Sequence, residues 1–123
     1  MQQSSIDRLR EIVRMFRDER LWRKYHKPKD LAIAISIEAS ELLQLFLWLT
    51  DEEIESLVKK DKFIKRVSEE IADIFIYILS MVDILNLDLE KIVLEKIEKN
   101  KKKYPVETSK GDKVKERLLR QYA

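Results

Sequence analysis

Two pairs of acidic residues lie in the middle of the most apolar stretches of the sequence. Glu38 and Glu41 are spaced i, i+3 within the stretch Leu31 to Leu49. Glu70 and Asp73 repeat that spacing after 28 intervening residues. Residues at this spacing share one face of a helix, and a buried carboxylate must take up a proton, meet a cation or bind a metal. The sequence therefore predicts that the two pairs meet in a four-carboxylate site.

The donor atoms that the sequence offers restrict the metal. The chain has no Cys and a single His, His26, which excludes a disulfide framework, a thiolate metal site and a cysteine nucleophile. Carboxylate oxygens suit Mg²⁺, or Mn²⁺ in its place, and these ions commonly share their ligand shell with substrate phosphates. A ferritin-like di-metal site requires Glu-x-x-His pairs, and His26 does not stand at that spacing.

A non-enzymatic interpretation stays open at this point. Acidic pairs at i, i+3 are common on solvated helix faces, where they bridge to Lys or Arg of a neighbouring helix. Residues 95–120 hold ten Lys and Arg against five Asp and Glu, although the whole chain carries a net charge of only +2. Such a basic segment fits a helical interaction module or nucleic-acid binding. It equally fits a metal-bound phosphate ligand, and we expect neither a nucleic acid nor a membrane as partner.

The composition predicts an all-α protein of four to five helices. One Gly, two Pro and 39% charged residues beside 45% hydrophobic ones leave little material for tight turns and favour long helices. The chain shows no signal-peptide pattern, and its apolar runs are shorter than the roughly 20 residues of a membrane span, so a cytoplasmic protein is expected. So small a domain with two largely apolar helices also predicts homo-oligomerisation, which completes the helical bundle.

The helix boundaries follow from capping and breaking residues. Ser4 and Ser5 mark the start of an amphipathic helix with a solvated, charged face, which is expected to reach Trp22 or Tyr25 and to end before Pro28. The pattern predicts four further helices: Leu31 to Leu49, then 51–60 after a Thr50/Glu53 capping box, then 62–85, and finally Asp88 to Tyr104, which Pro105 stops. We expect one domain over residues 1–105 and a basic, loosely ordered tail over 106–123, with one or two helical turns after Asp112.

The order of these motifs resembles the MazG-like, all-α nucleoside triphosphate pyrophosphohydrolases, and most closely their dCTP pyrophosphatase branch. The shared features extend beyond the two carboxylate pairs. They are the segment ERLWRKYHKP, Trp48 seven residues after Glu41, Tyr77 four residues after Asp73, and the late segment KIEKNKKKYPV. The resemblance covers about residues 5 to 106.

The resemblance implies an activity and a role for each matching residue. Members of the family hydrolyse a nucleoside triphosphate to the monophosphate and pyrophosphate, and they assemble as dimers or as dimers of dimers, so a homotetramer is expected. The four carboxylates, Glu38, Glu41, Glu70 and Asp73, match the Mg²⁺ ligands. We expect one glutamate of the first pair, Glu38 by preference, to accept the proton of the attacking water, although nothing in the sequence separates it from Glu41. The other matching positions are substrate-binding: Trp22, His26, Trp48 and Tyr77 near the base and sugar, and Lys96, Asn100 and Tyr104 toward the triphosphate or base.

The residues themselves agree in part with these roles. Lys96, Asn100 and Lys103 share one helix face, and Tyr77 lies on the face of Glu70. Helical spacing likewise places Trp48 near the face of Glu41, although Trp48 and Tyr77 are also typical core aromatics and His26 a typical helix C-cap. The first helix carries apolar Val13 where the dCTP pyrophosphatases have a polar residue. We therefore expect a pyrimidine preference, with dCTP first, that is less strict than theirs.

Overall fold

The structure, a computed structural model, describes residues 3–123, and within them it contains only helices and connections. The all-α prediction is confirmed. The helices are α1 (Ser5–Glu19), a short 3₁₀ helix (Arg23–Tyr25), α2 (Pro28–Gln44), α3 (Asp51–Leu57), α4 (Asp61–Ile84), α5 (Leu89–Lys103), α6 (Val106–Ser109) and α7 (Lys113–Gln121). The predicted helices correspond to α1–α5, and the tail adds two more. In the described part of the chain, no helix has both the length and the apolar character that crossing a membrane requires.

Helix α1 begins as predicted but ends earlier. The Ser4 hydroxyl accepts a hydrogen bond from the Asp7 amide, which caps the first turn. At the other end, Leu21 adopts a left-handed conformation with φ 54°, and the amides of Leu21 and Trp22 donate to the carbonyls of Asp18 and Arg17. This pattern is a Schellman motif. The extension of the helix to Trp22 or Tyr25 is therefore wrong, because the chain reverses its handedness before either residue.

Pro28 begins helix α2. From the sequence it was expected to end α1, which stops well before it. Pro28 occupies the first turn of α2, where its missing N–H is not needed and its fixed φ suits the helix. The segment between α1 and α2 forms a short 3₁₀ turn of its own. In the last hydrogen bond of this turn, the His26 amide donates to the Arg23 carbonyl. His26 thus caps this short turn and not α1.

Helix α2 ends at Gln44, five residues before the predicted Leu49. The amides of Leu45 and Phe46 donate to carbonyls three residues back. Such bonds belong to a tighter 3₁₀-type turn, so the α-helix ends here. Trp48 then has φ 73°, a rare conformation for a bulky residue. The helical phase that was expected to place Trp48 near the face of Glu41 is therefore broken.

The boundaries of the later helices agree with the sequence signals. The Thr50 hydroxyl and the Glu53 carboxylate each accept a hydrogen bond from the other residue's amide, so the capping box of α3 is confirmed. Helix α4 ends in a second Schellman motif, with Asn86 left-handed at φ 52°. The Asp88 carboxylate then accepts from the Lys91 amide and caps α5.

The chain divides into two compact units, Met1–Leu87 and Asp88–Ala123. In the first unit, α4 packs against both α1 and α2. Its fully buried apolar residues are few: Leu31, Leu79 and Val82. The second unit consists of α5, α6 and α7, of which α6 and α7 contact each other. Helix α7 begins just after Asp112, where the sequence predicts helical turns, and the domain boundary at residue 105 stays a prediction.

A buried ion-pair network links α1 to α4. Asp83 accepts hydrogen bonds from Arg10, Arg14 and Arg17, which recur along α1 with a helical period. The side chain of Arg17 is 1% exposed, and that of Asp83 is 8% exposed. The expectation that the charged face of α1 is solvated is therefore wrong at Arg17.

Candidate active site

Three of the four predicted carboxylates come together where α2 crosses α4. One oxygen from each of Glu38, Glu41 and Glu70 lies within 4.8 Å of the others. The i, i+3 spacing places Glu38 and Glu41 on one face of α2, and the packing of α2 on α4 brings Glu70 opposite them. A cluster of carboxylates from two packed helices is what the sequence predicts.

Asp73 lies close to this cluster without belonging to its closest group. It is exposed on α4, one turn after the buried Glu70. Its charge nevertheless contributes to raising the pKa of Glu38 and of Tyr77. The structure thus groups three predicted ligands tightly and places the fourth within electrostatic range.

Without a cation, the carboxylates of the cluster repel one another. Burial, and then the neighbouring carboxylates of Glu41, Asp73 and Glu70, raise the pKa of Glu38 to about 7. Burial, and then the negative charges of Glu38, Asp73 and Glu41, raise the pKa of the Tyr77 hydroxyl. Because like charges at short range disfavour the ionised form, the site gains most from a group that brings positive charge.

The residues present fit a hard divalent cation. Glu38 Oε2 and Glu70 Oε2 are buried and have no hydrogen-bond partner among the described residues. The donors are all carboxylate oxygens, which Mg²⁺ and Mn²⁺ prefer. In residues 3–123 the only ion pair of the four carboxylates joins Glu70 to Arg66 at 3.8 Å on the same helix. Bridging to a neighbouring helix, which the non-enzymatic interpretation requires, is not found there.

An aromatic row runs from the connection between α1 and α2 to Tyr77 of α4. The ring centroids of Trp22 and His26 are 6.0 Å apart, and those of His26 and Tyr77 are 6.2 Å apart. Burial, and then the positive charge of Arg17, lower the pKa of His26, which favours the neutral ring. The structure therefore brings three of the predicted base-binding residues into one row, and Tyr77 at its end lies within electrostatic range of the carboxylates.

Trp48 does not join that row within the protomer. Its side chain is 92% exposed, beyond the end of α2. The alternative interpretation of Trp48 as a core aromatic is therefore wrong for the isolated protomer. Tyr77, by contrast, is half-buried and lies within electrostatic range of the acidic cluster.

The late-helix residues belong to the second unit. Lys96 and Asn100 are exposed on α5, and Tyr104 follows directly as its C-cap. The Tyr104 amide donates to the Asn100 carbonyl at 2.8 Å, and the Lys103 ammonium lies 5.4 Å from the Tyr104 ring centroid. Their roles toward a triphosphate remain predictions.

Sequence reasoning missed the buried Arg17 and its partner Asp83. The available signal was the recurrence of Arg10, Arg14 and Arg17 at i, i+4 and i+7, together with one Asp late in an apolar helix. A charged stripe of this kind is usually solvated, so the pattern alone does not reveal that its last member is buried.

Comparison with known proteins identifies the family of this chain and agrees with the fold. The MazG-like family profile matches residues 33–117, so the chain belongs to the MazG-like family. Among its relatives is dCTP pyrophosphatase 1 of Bos taurus, with 32% identity over 111 residues, which span 90% of this chain and 66% of that protein. The corresponding protein of Rattus norvegicus is 31% identical over 111 residues, covering 90% of this chain and 65% of its own length. The resemblance to the dCTP pyrophosphatase branch is thereby confirmed.

A solved structure extends the comparison. The crystal structure of a pyrophosphatase from Archaeoglobus fulgidus superposes with a TM-score of 0.77 and 44% sequence identity. The match covers 85% of this chain and 96% of that one. The chain spans about two thirds of the length of the mammalian relatives.

Proposed function

We propose that the protein is a nucleotide pyrophosphohydrolase that converts a nucleoside triphosphate into the monophosphate and pyrophosphate. The observation that carries this proposal is the convergence of Glu38, Glu41 and Glu70 within 4.8 Å, with two buried carboxylate oxygens left unpartnered. The names of the relatives support the same reaction class. The substrate we propose is dCTP or a related or modified pyrimidine deoxynucleotide.

Glu38, Glu41, Glu70 and Asp73 would hold Mg²⁺, for which Mn²⁺ can substitute. The ion, when bound, would supply Lewis-acid stabilisation of the charge that develops on the phosphate oxygens. The fit is supported by the all-oxygen donor set and by the raised pKa of Glu38, which burial and the adjacent carboxylates cause. An acidic cluster of this kind also repels a triphosphate unless a cation compensates it.

Glu38 is the residue we propose as general base. Its carboxylate would accept a proton from the attacking water as the water oxygen bonds to the α-phosphorus. The bond from that phosphorus to the α–β bridging oxygen breaks, and the bridging oxygen leaves with pyrophosphate.

The remaining predicted residues would bind the substrate. Trp22, His26 and Tyr77 form one aromatic row, and their faces suit stacking on a base. We also propose Trp48 for the base, and Lys96, Asn100 and Tyr104 for the triphosphate or base. Apolar Val13 on α1 offers no hydrogen bond, so the pyrimidine preference should be less strict than in the dCTP pyrophosphatases.

We propose that the functional form is a homo-oligomer, specifically a dimer of dimers. The protomer leaves apolar side chains half exposed on both site helices, among them Ile33 and Ile37 of α2 and Ile71 of α4, at 51%, 53% and 53%. Apolar surface on this scale is typical of an interface. A symmetric helical interface would cover it.

The test is pyrophosphate release from a panel of deoxynucleoside and nucleoside triphosphates with Mg²⁺. We expect activity that depends on the divalent ion and is highest on dCTP. Glu70→Gln should abolish it, whereas Glu69→Gln, a change at the exposed neighbour, should preserve it. A protein that releases no pyrophosphate from any triphosphate, with either Mg²⁺ or Mn²⁺, would refute the proposed function.

A further inference from the structure

Arg66 is the cation nearest to the acidic cluster in the described part of the chain. Its Nη2 lies 3.8 Å from Glu70 Oε1, and no other ion pair in residues 3–123 involves the four predicted ligands. This distance is longer than a hydrogen bond, so the donors of the guanidinium stay available to a ligand. The Arg66 side chain is 58% exposed, whereas that of Glu70 is 8% exposed. Arg66 therefore stands at the open edge of the cluster, where a ligand can reach it from solvent.

Arg66 belongs to a single stripe of α4 that carries much of the chemistry of the site. Glu70, Asp73 and Tyr77 follow it at i+4, i+7 and i+11, which are positions on one face of a helix. Asp73 is exposed and Tyr77 is half-buried, so the stripe is also open to solvent beyond Glu70. In order along the helix, it presents a cation, two carboxylates and an aromatic ring over about 16 Å.

This order matches the order of the groups in a nucleoside triphosphate. Tyr77 ends the aromatic row that is proposed for the base, and the carboxylates are proposed for the centre at which the α-phosphate reacts. With the base at one end of the stripe and the α-phosphate in the middle, the β- and γ-phosphates extend toward the other end, where Arg66 lies. A guanidinium suits these groups, because it pairs with phosphate oxygens through two parallel hydrogen bonds.

We propose that Arg66 binds the terminal phosphates of the substrate and stabilises the pyrophosphate that leaves. This inference rests on the proposed pyrophosphohydrolase function and adds to it a leaving-group residue in the same compact unit as the carboxylates. When the bond from the α-phosphorus to the bridging oxygen breaks, its electron pair stays on the bridging oxygen. The guanidinium of Arg66 compensates the charge that the leaving pyrophosphate gains.

Replacement of Arg66 should leave the protein folded. Its only ion pair among residues 3–123 is long and lies at the surface on the Arg66 side, and such pairs contribute little to stability. Lys65→Met is the matched control, because Lys65 is an exposed cation of the same helix that points about 100° away from the stripe. Arg66→Lys is a second variant, which keeps the charge but lacks the planar pair of donors.

The experiment measures the binding of the two products separately, by calorimetry in the presence of Mg²⁺. Pyrophosphate carries the groups that Arg66 is proposed to hold, whereas dCMP lacks them. Arg66→Met should bind pyrophosphate about tenfold to hundredfold more weakly than the unmodified protein does, and dCMP within about twofold of it. Arg66→Lys should recover part of this loss, and Lys65→Met should bind both products as the unmodified protein does.

Two further measurements complete the test. In steady-state hydrolysis of dCTP, Arg66→Met should lower kcat/KM by about tenfold to hundredfold, with a fall in kcat if the contact strengthens as the pyrophosphate leaves. In thermal scans without nucleotide, the same variant should stay folded and keep its stabilisation by Mg²⁺, because Arg66 supplies no ligand atom to the ion.

Three results in folded variants would overturn the inference while leaving the proposed function in place. Equal weakening of pyrophosphate and dCMP in Arg66→Met would show that Arg66 acts only through Glu70. An unchanged pyrophosphate affinity in that variant would exclude the contact, and an equal loss in Lys65→Met would make it a general effect of charge. Because calorimetry needs no turnover, the proposed function is tested apart from these results. It fails if the unmodified protein releases no pyrophosphate from any triphosphate, and the leaving-group role fails with it.

Discussion

Nη2 of Arg17 donates to Oδ2 of Asp83 at 2.9 Å, and this contact joins α1 to α4 at the least exposed polar position of the first unit. Two further arginines of α1, Arg10 and Arg14, donate to the same carboxylate. Burial alone would raise the pKa of Asp83, but the three arginines outweigh it and lower that pKa to about 2.

The first prediction is that Asp83 gives the fold an acid-sensitive component. Because its folded-state pKa is depressed, its contribution to stability is fully present above the unfolded pKa of 3.8 and is lost as the pH falls toward about 2. Asp83→Asn should lower the free energy of unfolding at pH 6 by about 3 kcal/mol, since it leaves three arginines without their carboxylate. Urea unfolding at pH 6 and pH 3 measures both effects. Asp18→Asn is the control, and an equal loss there would contradict the central role of Asp83.

The second prediction concerns stabilisation by a divalent ion. Mg²⁺ should raise the melting temperature, because an ion that binds only the folded state stabilises it by about 2.7 kcal/mol at one hundred times its dissociation constant. Glu41→Gln and Glu70→Gln should lose most of this response, whereas Glu69→Gln should retain it. Thermal scans with Mg²⁺ and with EDTA supply the comparison. A full response in Glu41→Gln would remove Glu41 from the ligand set.

The third prediction is a pH dependence that is specific to the metal-free protein. Burial and the adjacent carboxylates raise the pKa of Glu38 from 4.5 to about 7, so the folded state binds a proton that the unfolded chain has already released. Stability in EDTA should therefore fall as the pH rises from about 4.5 to about 7. Glu38→Gln keeps the neutral form at every pH and should reduce this decline. The measurement is the melting temperature of the unmodified protein and of Glu38→Gln in EDTA at pH 5 and pH 7.5. If the melting temperature falls equally in both, Glu38 is not the source of the pH dependence.

The fourth prediction is self-association in solution. The protomer of 14.8 kDa exposes 53% of Ile37 and 53% of Ile71, which is unfavourable for isolated helices in water. Light scattering at micromolar concentration should give about four times the protomer mass. Ile71→Glu should shift the mass toward smaller species by placing a charge on the apolar face. A monomer from the unmodified protein at that concentration would contradict the proposed assembly.

The fifth prediction separates base binding from chemistry. Trp48→Ala should raise KM through the loss of about 1–3 kcal/mol of stacking, whereas Trp48→Phe should retain most of the affinity. Lys96→Ala should lower kcat as well, if its contact strengthens as charge develops on the leaving pyrophosphate. Steady-state kinetics on dCTP measure all three variants. An unchanged KM in Trp48→Ala would remove Trp48 from the base site.

The sequence predicted those features that local rules determine. Caps such as Ser4, Thr50 and Asp88 act through hydrogen bonds to residues three positions away, and all three are confirmed. The meeting of Glu38, Glu41 and Glu70 was likewise expected from spacing. The apolar surroundings also predicted burial of both pairs, but Glu41 and Asp73 are exposed.

The features that the sequence did not predict depend on backbone reversals and on long-range packing. Leu21 and Trp48 adopt left-handed conformations that favour Gly or Asn, so neither residue type signals the end of its helix. The pairing of Arg17 with Asp83 joins positions 66 residues apart, and only the packing of α1 on α4 reveals it. A charge pattern on one helix cannot identify a partner on another.

The exposure of Trp48 also gives the protein an internal optical reporter. Of the two tryptophans, Trp48 is 92% exposed, whereas Trp22 is 41% exposed and packs edge-on against Phe16 at 5.7 Å. An indole in water emits at longer wavelength than one in an apolar contact. If a second copy of the chain or a base covers Trp48, as proposed, the emission should shift to shorter wavelength. Dilution and nucleotide titrations can be followed in this way on the unlabelled, unmodified chain.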